Sequence, residues 1–181
     1  MKKIFFTLLI FIPFWGLAQT QFKLKIDTPN KAAFYQEVVK IDTSLNDDQI
    51  KSRIRKFLAN NTMASNIAIE NNSCVYTSIQ NLIIPQGLGS MQFQVRYTVT
   101  IDFKKGKYRY TFSNIEILYN TLIMSHLERK TLYEEYKATN EGKNYDNHVK
   151  RIIALEKHID DVTTNLKLIM SENSSITKSD F

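Results

Sequence analysis

Histidines, cysteines and carboxylates carry most enzymatic and metal chemistry, and in this chain they do not gather. The histidines are His126, His148 and His158. The last two are ten residues apart, about 280° of helical rotation, so a single helix would not bring them to one face. There is no HExxH, no pair of cysteines and no Asp-rich calcium loop, which removes the common metal signatures. Solvated surface positions are the expectation for the imidazoles. Cys74 is the only cysteine, so no intrachain disulfide can form. Beside Val75 and Tyr76 it reads as a small buried hydrophobe, not a nucleophile. Gly87-Leu88-Gly89-Ser90 has the glycines of a phosphate loop, but no lysine follows and it precedes a strand, where such loops precede a helix. It is read as a hairpin loop. Asp42, Asp47, Asp48, Glu70, Asp102, Glu116, Glu134 and Glu135 are scattered without the spacing of an acid pair. The expectation is a protein that is not an enzyme, with no catalytic residue, no metal and no cofactor.

Two basic groups, Lys51, Arg53, Arg55 and Lys56, then Lys104, Lys105, Lys107 and Arg109, could suggest a nucleic-acid footprint. The N-terminus argues against it. Lys2 and Lys3 precede an apolar run from Ile4 to Trp15, and Gly16 and Ala18 stand at −3 and −1 of a cut after Ala18. That is the build of a secretory signal over 1–18, too short to be a membrane span. Removing it takes the formal charge from +6 to +4 by the loss of two lysines, a modest value for a phosphate-binding surface. The mature chain has no integral membrane span, and the expected location is periplasmic or secreted. No nucleic-acid partner is expected, and no oligomeric state is assigned.

The elements that would position any site follow from periodicity. Residues 19–32 are polar and read as a lead-in arm, and 33–170 read as one α+β domain. Phe34 to Ile41 is β-prone. Asn46 with Gln49 forms a capping-box pair, and Leu45 with Ile50 a hydrophobic staple. Ile50, Ile54, Phe57 and Leu58 then recur at helical spacing. Strands are predicted at 66–70 and 74–84. From Met91 to Phe103 apolar and polar residues alternate strictly, the mark of a sheet with one buried and one wet face. Lys105-Gly106 turns the chain into a returning strand. Pairing Phe103 with Tyr108 aligns Ile101 with Tyr110, Val99 with Phe112, Asp102 with Arg109 and Thr100 with Thr111. A bulge is predicted near Ser113-Asn114, where the apolar phase slips. A C-terminal helical part spans 125–170, with Ile152, Leu155, Ile159, Val162, Leu166 and Ile169 at spacings of three and four. Residues 171–181 read as a disordered tail.

The predicted architecture is therefore a curved antiparallel sheet of about five strands with two amphipathic helices on one face, in the order strand, helix, four strands, helix. The core, 34–118, resembles an uncharacterised domain family of exported Bacteroidetes proteins. The resemblance is carried by Tyr97-Thr98-Val99-Thr100-Ile101-Asp102, by Lys105-Gly106-Lys107-Tyr108-Arg109-Tyr110-Thr111-Phe112, and by a leader ending Gly16-Leu17-Ala18-Gln19. Against that family Ile79–Pro85 is unusually apolar. The resemblance implies a TATA-box-binding-protein-like fold and carries over no activity and no catalytic residue. It also implies that the sheet face opposite the helices is concave and serves for docking. Arg96, Thr98, Thr100 and Arg109 lie on that face and are the expected partner contacts, since guanidinium groups bind carboxylates and phosphates in bidentate fashion. The function expected is an exported interaction domain of the bacterial envelope, binding an envelope protein or a small ligand. The alternative is a small-molecule or lipid carrier, with Tyr97, Phe103, Tyr108, Tyr110 and Phe112 lining a cavity between sheet and helices.

Overall fold

The computed structural model describes residues 23–61, 63–87, 89–120, 127–140 and 145–172. The expected signal segment over 1–18, residues 19–22 of the expected arm, His126 and residues 173–181 of the expected tail lie outside the described residues. Seven strands are present: β1 (Lys25–Asp27), β2 (Ala32–Lys40), β3 (Ala64–Glu70), β4 (Ser73–Gln86), β5 (Gly89–Lys104), β6 (Lys107–Asn120) and β7 (Leu127–Thr131). The helices are α1 (Asp47–Asn60), α2 (Leu132–Asn140) and α3 (Tyr145–Ser171). All strand pairs are antiparallel, in the order β1-β2-β6-β5-β4-β3, with β7 pairing the far end of β6.

The β5–β6 register is the one that alternation demands. Phe103 faces Tyr108, Ile101 faces Tyr110, Val99 faces Phe112, and Asp102 faces Arg109. Between Lys104 and Lys107 the turn is closed by Gly106 at φ +79°, where a Cβ would also meet the Thr43 methyl at 3.0 Å. The bulge falls at Asn114, φ +50°, and the register shifts between Arg96 and Thr98. It restores the phase that buries both Phe112 and Ile115. At α1 the Asn46 side chain accepts from the Gln49 amide and the Gln49 side chain accepts from the Asn46 amide, both at 2.9 Å. Leu45 and Ile50 are both buried, as the staple requires.

One face of the sheet is covered by all three helices. Phe57 of α1 meets Tyr76 of β4, the Tyr97 hydroxyl of β5 meets His158 of α3, and Tyr119 of β6 bonds Glu135 of α2. Ile152, Leu155, Ile159, Leu166 and Ile169 of α3 are buried in the common core, and Val162 packs at its margin. Cys74 is fully buried there, and burial pushes its thiol up to about 11, which fits a hydrophobe and not a nucleophile.

Three features differ from the sequence-based expectation. The described residues hold seven strands, not about five, because short β1 and β7 extend the margins of the sheet. The helical part begins later than predicted, since 127–131 pairs with 116–120 of β6 and so meets its backbone hydrogen-bonding needs in a ladder. The remainder divides into two helices, which makes three in all.

Candidate functional site

The face away from the helices is built from rows that the register fixes across the strands. Gln36, Thr111, Thr100 and Val75 form one row, and Ser113, Thr98, Thr77 and Ser65 the next. Hydroxyls are linked along these rows: Gln36 Nε2 donates to Thr111 Oγ1 at 3.1 Å, and the Ser65 and Thr77 hydroxyls lie 3.1 Å apart. Charge lies in the rows on either side and, beyond Arg109, in an end row of Lys40, Lys107 and Lys104. Arg109 donates to Asp102 Oδ2 at 2.6 Å, and Ser73 donates to Asp102 Oδ1 at 2.9 Å. The Arg109 hydrogen bond, with help from Ser73, outweighs partial burial and holds the Asp102 carboxyl below its usual range. In the opposite flanking row Arg96 lies 3.5 Å from Glu116, which also faces Arg129 at 3.6 Å.

The four expected contact residues, Arg96, Thr98, Thr100 and Arg109, are therefore brought together on one face. Arg109 faces Asp102, as the register predicts, whereas Arg96, expected as an open contact, also faces a carboxylate of its own sheet, Glu116. What stands out instead is aliphatic. Val75, Ile79 and Ile83 of β4 share this face, and Ile79 and Ile83 are 42% and 63% exposed. This is where the apolar excess of Ile79–Pro85 goes: Leu82 and Ile84 turn to the core side, while Ile79 and Ile83 face outward. The face thus presents a hydroxyl band bordered by aliphatic side chains and ion pairs.

The densest cluster of titratable groups was not legible in the sequence. Glu135 of α2 has no exposed surface and accepts from Arg151 Nε at 2.5 Å and from the Tyr119 hydroxyl. His148 Nδ1 lies 2.8 Å from Glu135 Oε1 and 2.9 Å from Arg151 Nη2. A single ring nitrogen cannot both donate and accept, and a carboxylate oxygen only accepts. The assignment is thus Nδ1–H donating to Glu135, with the guanidinium lying alongside. Arg151 also stacks over the Tyr119 ring at 4.8 Å. His148 and Arg151 are themselves buried, so the cluster joins α2, α3 and β6 and is closed to a solute. Its only trace in the sequence is the i, i+3 spacing of His148 and Arg151 on the same side of α3 as Leu155.

The surface expectation for the histidines is corrected here. His148 is buried in this cluster, and His158 is partly buried under α3, its Nε2 2.8 Å from the Tyr97 hydroxyl. Burial lowers the His158 pKa, and the nearby Asp161 offsets this only in part. Burial also raises that of Tyr97, so a neutral phenol and a neutral imidazole share this hydrogen bond, whose donor the imidazole tautomer sets. A base whose pKa is depressed by folding binds its proton more readily in the unfolded chain. His158 therefore contributes stability fully above about pH 6.5 and loses it as pH falls below that value. The melting temperature should drop between pH 7 and pH 5, and His158→Gln should flatten that drop. Glu156, raised by burial, works in the opposite sense, so the readout is the difference between the two proteins. Equal slopes would show that His158 does not titrate with folding.

Among the described residues there is also a half-open cleft of about 830 Å³ between the end of β2, the start of α1 and the end of α3. Val39, Ile41, Leu45, Leu168 and Met170 form its apolar wall. Of its three cations, Lys40, Arg53 and Lys167, Arg53 is engaged by the Met170 carbonyl and Lys167 by both oxygens of Glu37 at 2.8 Å. The five aromatics suggested as a cavity lining are all buried in the core, where Tyr97, Tyr110 and Phe112 meet ring against ring. Of the five, only Tyr108 reaches this cleft. Among the described residues no helix is long and apolar enough to cross a membrane, and no group of three or more His, Cys, Asp or Glu side chains is placed to hold a metal ion.

Comparison with known proteins agrees with this geometry. Residues 35–117 match the family model described as a domain of unknown function (DUF4468) with TBP-like fold. Two solved structures are similar. A DUF4468 family protein from Bacteroides ovatus superposes with a TM-score of 0.64 at 12% identity, over 83% of this chain and 92% of that one. A TBP-like protein from Parabacteroides distasonis gives 0.57 at 14% identity, over 76% and 94%. Identities this low speak for the fold alone. Comparison with curated proteins gives no match.

Proposed function

Residues 35–117 form a DUF4468 domain, and from that premise and the geometry above we propose an exported, non-enzymatic binding domain of the bacterial envelope. Its docking surface is the open face of the sheet, and its partner is another envelope protein. The observation that carries the reading is the composition of that face. Three hydroxyl-bearing strands present Thr77, Thr98, Thr100 and Thr111 to solvent beside the exposed aliphatic groups of Val75 and Ile79. Arg96 and Arg109 face Glu116 and Asp102, and the lysines of the face, Lys40, Lys107 and Lys104, are confined to its end row beyond Arg109, so the hydroxyl rows at its centre suit a protein better than a phosphate backbone. The leader over 1–18 supports export, and the closed Glu135 cluster supports binding without catalysis.

The test is capture of a partner from envelope extract with the double variant Thr98→Glu and Thr111→Lys. These positions lie on neighbouring strands in adjacent rows, so the new charges attract each other, the net charge is unchanged, and neither side chain enters the core. The partner held by the wild type should be lost, with retention at least about tenfold lower, while the melting temperature shifts by no more than about 2 °C. Equal capture by a folded variant removes the open face as the docking surface. Turnover in a broad hydrolase screen, abolished by one point substitution, would overturn the non-enzymatic reading.

A further inference from the structure

Strand β4 is twice as long as the strand that shields its outer edge. β3 pairs only with 73–78, and its last partner is Ala64 opposite Ser78. From Ile79 onward β4 has β5 on one side and, among the described residues, no strand on the other. Antiparallel pairing determines which backbone groups are left over. The Phe103 amide donates to the Asn72 carbonyl at 2.9 Å, and Asn72 and Phe103 flank the Ser73–Asp102 pair. Even-numbered residues of β4 thus bond to β5, and odd-numbered ones point the other way. Ile79, Asn81 and Ile83 direct both N–H and C=O to the free edge. Pro85, which has no N–H, falls in the same phase, where proline is tolerated.

Exposed edges of this kind are normally guarded by charge, and this one is not. Residues 71–95 contain no Asp, Glu, Lys or Arg, in a chain that is 23% charged. Ile83, at the middle of the free stretch, is 63% exposed. Elsewhere the chain carries all of its formal charge, +6, or +4 without Lys2 and Lys3 of residues 1–18, so net charge opposes the approach of two copies. They can meet without like-charge opposition along this neutral edge.

We propose that the free edge of β4 pairs antiparallel with the same edge of a second copy, joining the two sheets into one. The register follows from sterics. A two-fold axis at Asn81 would place the partner strand's residue 84 opposite Ser78, where Ala64 of β3 already sits. Moving the axis to Ile83 clears β3. Ile83 then faces Ile83 of the second copy and exchanges both backbone hydrogen bonds, while each Asn81 amide donates to the Pro85 carbonyl opposite. The two Ile83 side chains meet on the open face, and both docking faces lie on one continuous sheet. This inference does not depend on what binds the open face, because its contacts are backbone groups at the edge.

The experiment is sedimentation velocity of the purified chain over a roughly hundredfold concentration range, paired with amide hydrogen exchange at each concentration. A dimer should form on concentration, and the amides of Asn81 and Ile83 should become protected with it, while that of Ile79, opposite a turn, should not. Ile83→Lys should be monomeric with an unchanged melting temperature, and so should Ile83→Glu. Mixing these two variants should restore a heterodimer, because only a contact of Ile83 with itself places the new charges in opposition. Wild type that stays monomeric overturns the proposal, as does an Ile83→Lys protein that still dimerises or a mixture that stays monomeric. Protection of Asn81 and Ile83 that appears only when envelope extract is added would assign the edge to a strand from a different protein and would also overturn it. Loss of capture by the open-face variant with the dimer intact would separate the two readings.

Discussion

Glu135→Ala is expected to destabilise the protein by about 3–5 kcal/mol, the cost of leaving a buried charge without its partner. Arg151 is 7% exposed and donates to Glu135, and the Tyr119 hydroxyl and His148 Nδ1 converge on the same carboxylate. Removing it leaves a guanidinium in a site that water barely reaches, and a phenol without its acceptor. Folded domains are stable by only about 5–15 kcal/mol, so the variant should unfold at a much lower urea concentration. The physical cause can be separated from simple loss of packing. Glu135→Leu combined with Arg151→Met removes both charges, and it should be less damaging than Glu135→Leu alone. A single substitution costing under about 1 kcal/mol would mean that water enters and solvates Arg151, and the cluster would then not hold α2 and α3 to the sheet.

Leu155→Asp should cost on the order of 3 kcal/mol or more, by placing a carboxylate among apolar side chains where the cation one turn away, Arg151, is already engaged by Glu135. Leu155 has no exposed surface and shares the core with Val99, Ile101 and the other inward residues of the sheet. In sequence the same apolar stripe of α3 reads more readily as packing on a sheet than as an assembly surface. The control lies on the same helix. Leu168 is 64% exposed, and Leu168→Asp should change stability by no more than about 0.5 kcal/mol. Urea unfolding of the three proteins decides the matter. If Leu155→Asp unfolds like the wild type, α3 does not seal the core and the packing described above is wrong.

What could be read without the structure was local or periodic. The Asn46–Gln49 capping box and the Leu45–Ile50 staple involve residues within one helical turn, so their geometry is set by the chain itself. The β5–β6 register was legible through Phe103, Ile101 and Val99 on one strand and Tyr108, Tyr110 and Phe112 on the other, because a slip of one residue would turn all of them to solvent. The same alternation placed Arg96, Thr98, Thr100 and Arg109 on one open face. The apolar character of 79–85 was also visible, but not its meaning. Whether Ile79 and Ile83 are core or surface depends on which face of β4 the helices cover.

The remaining features were decided by contacts distant along the chain, and no local pattern encodes those. Glu135, His148, Arg151 and Tyr119 come from three elements and meet only when α2 and α3 settle on β6. A lone His in sequence carries no mark of burial, which is why His148 and His158 read as solvated. The Asp102–Arg109 pair follows from the legible register, but the carboxylate that faces Arg96, Glu116, lies beyond the bulge at Asn114, where the pairing shifts. The free edge of β4 exists because β3 stops at Ala64, a length difference between two strands that matters only once they are paired. Backbone amides at 79, 81 and 83 are identical in sequence to any others, and it is the tertiary structure that leaves them facing outward without a strand.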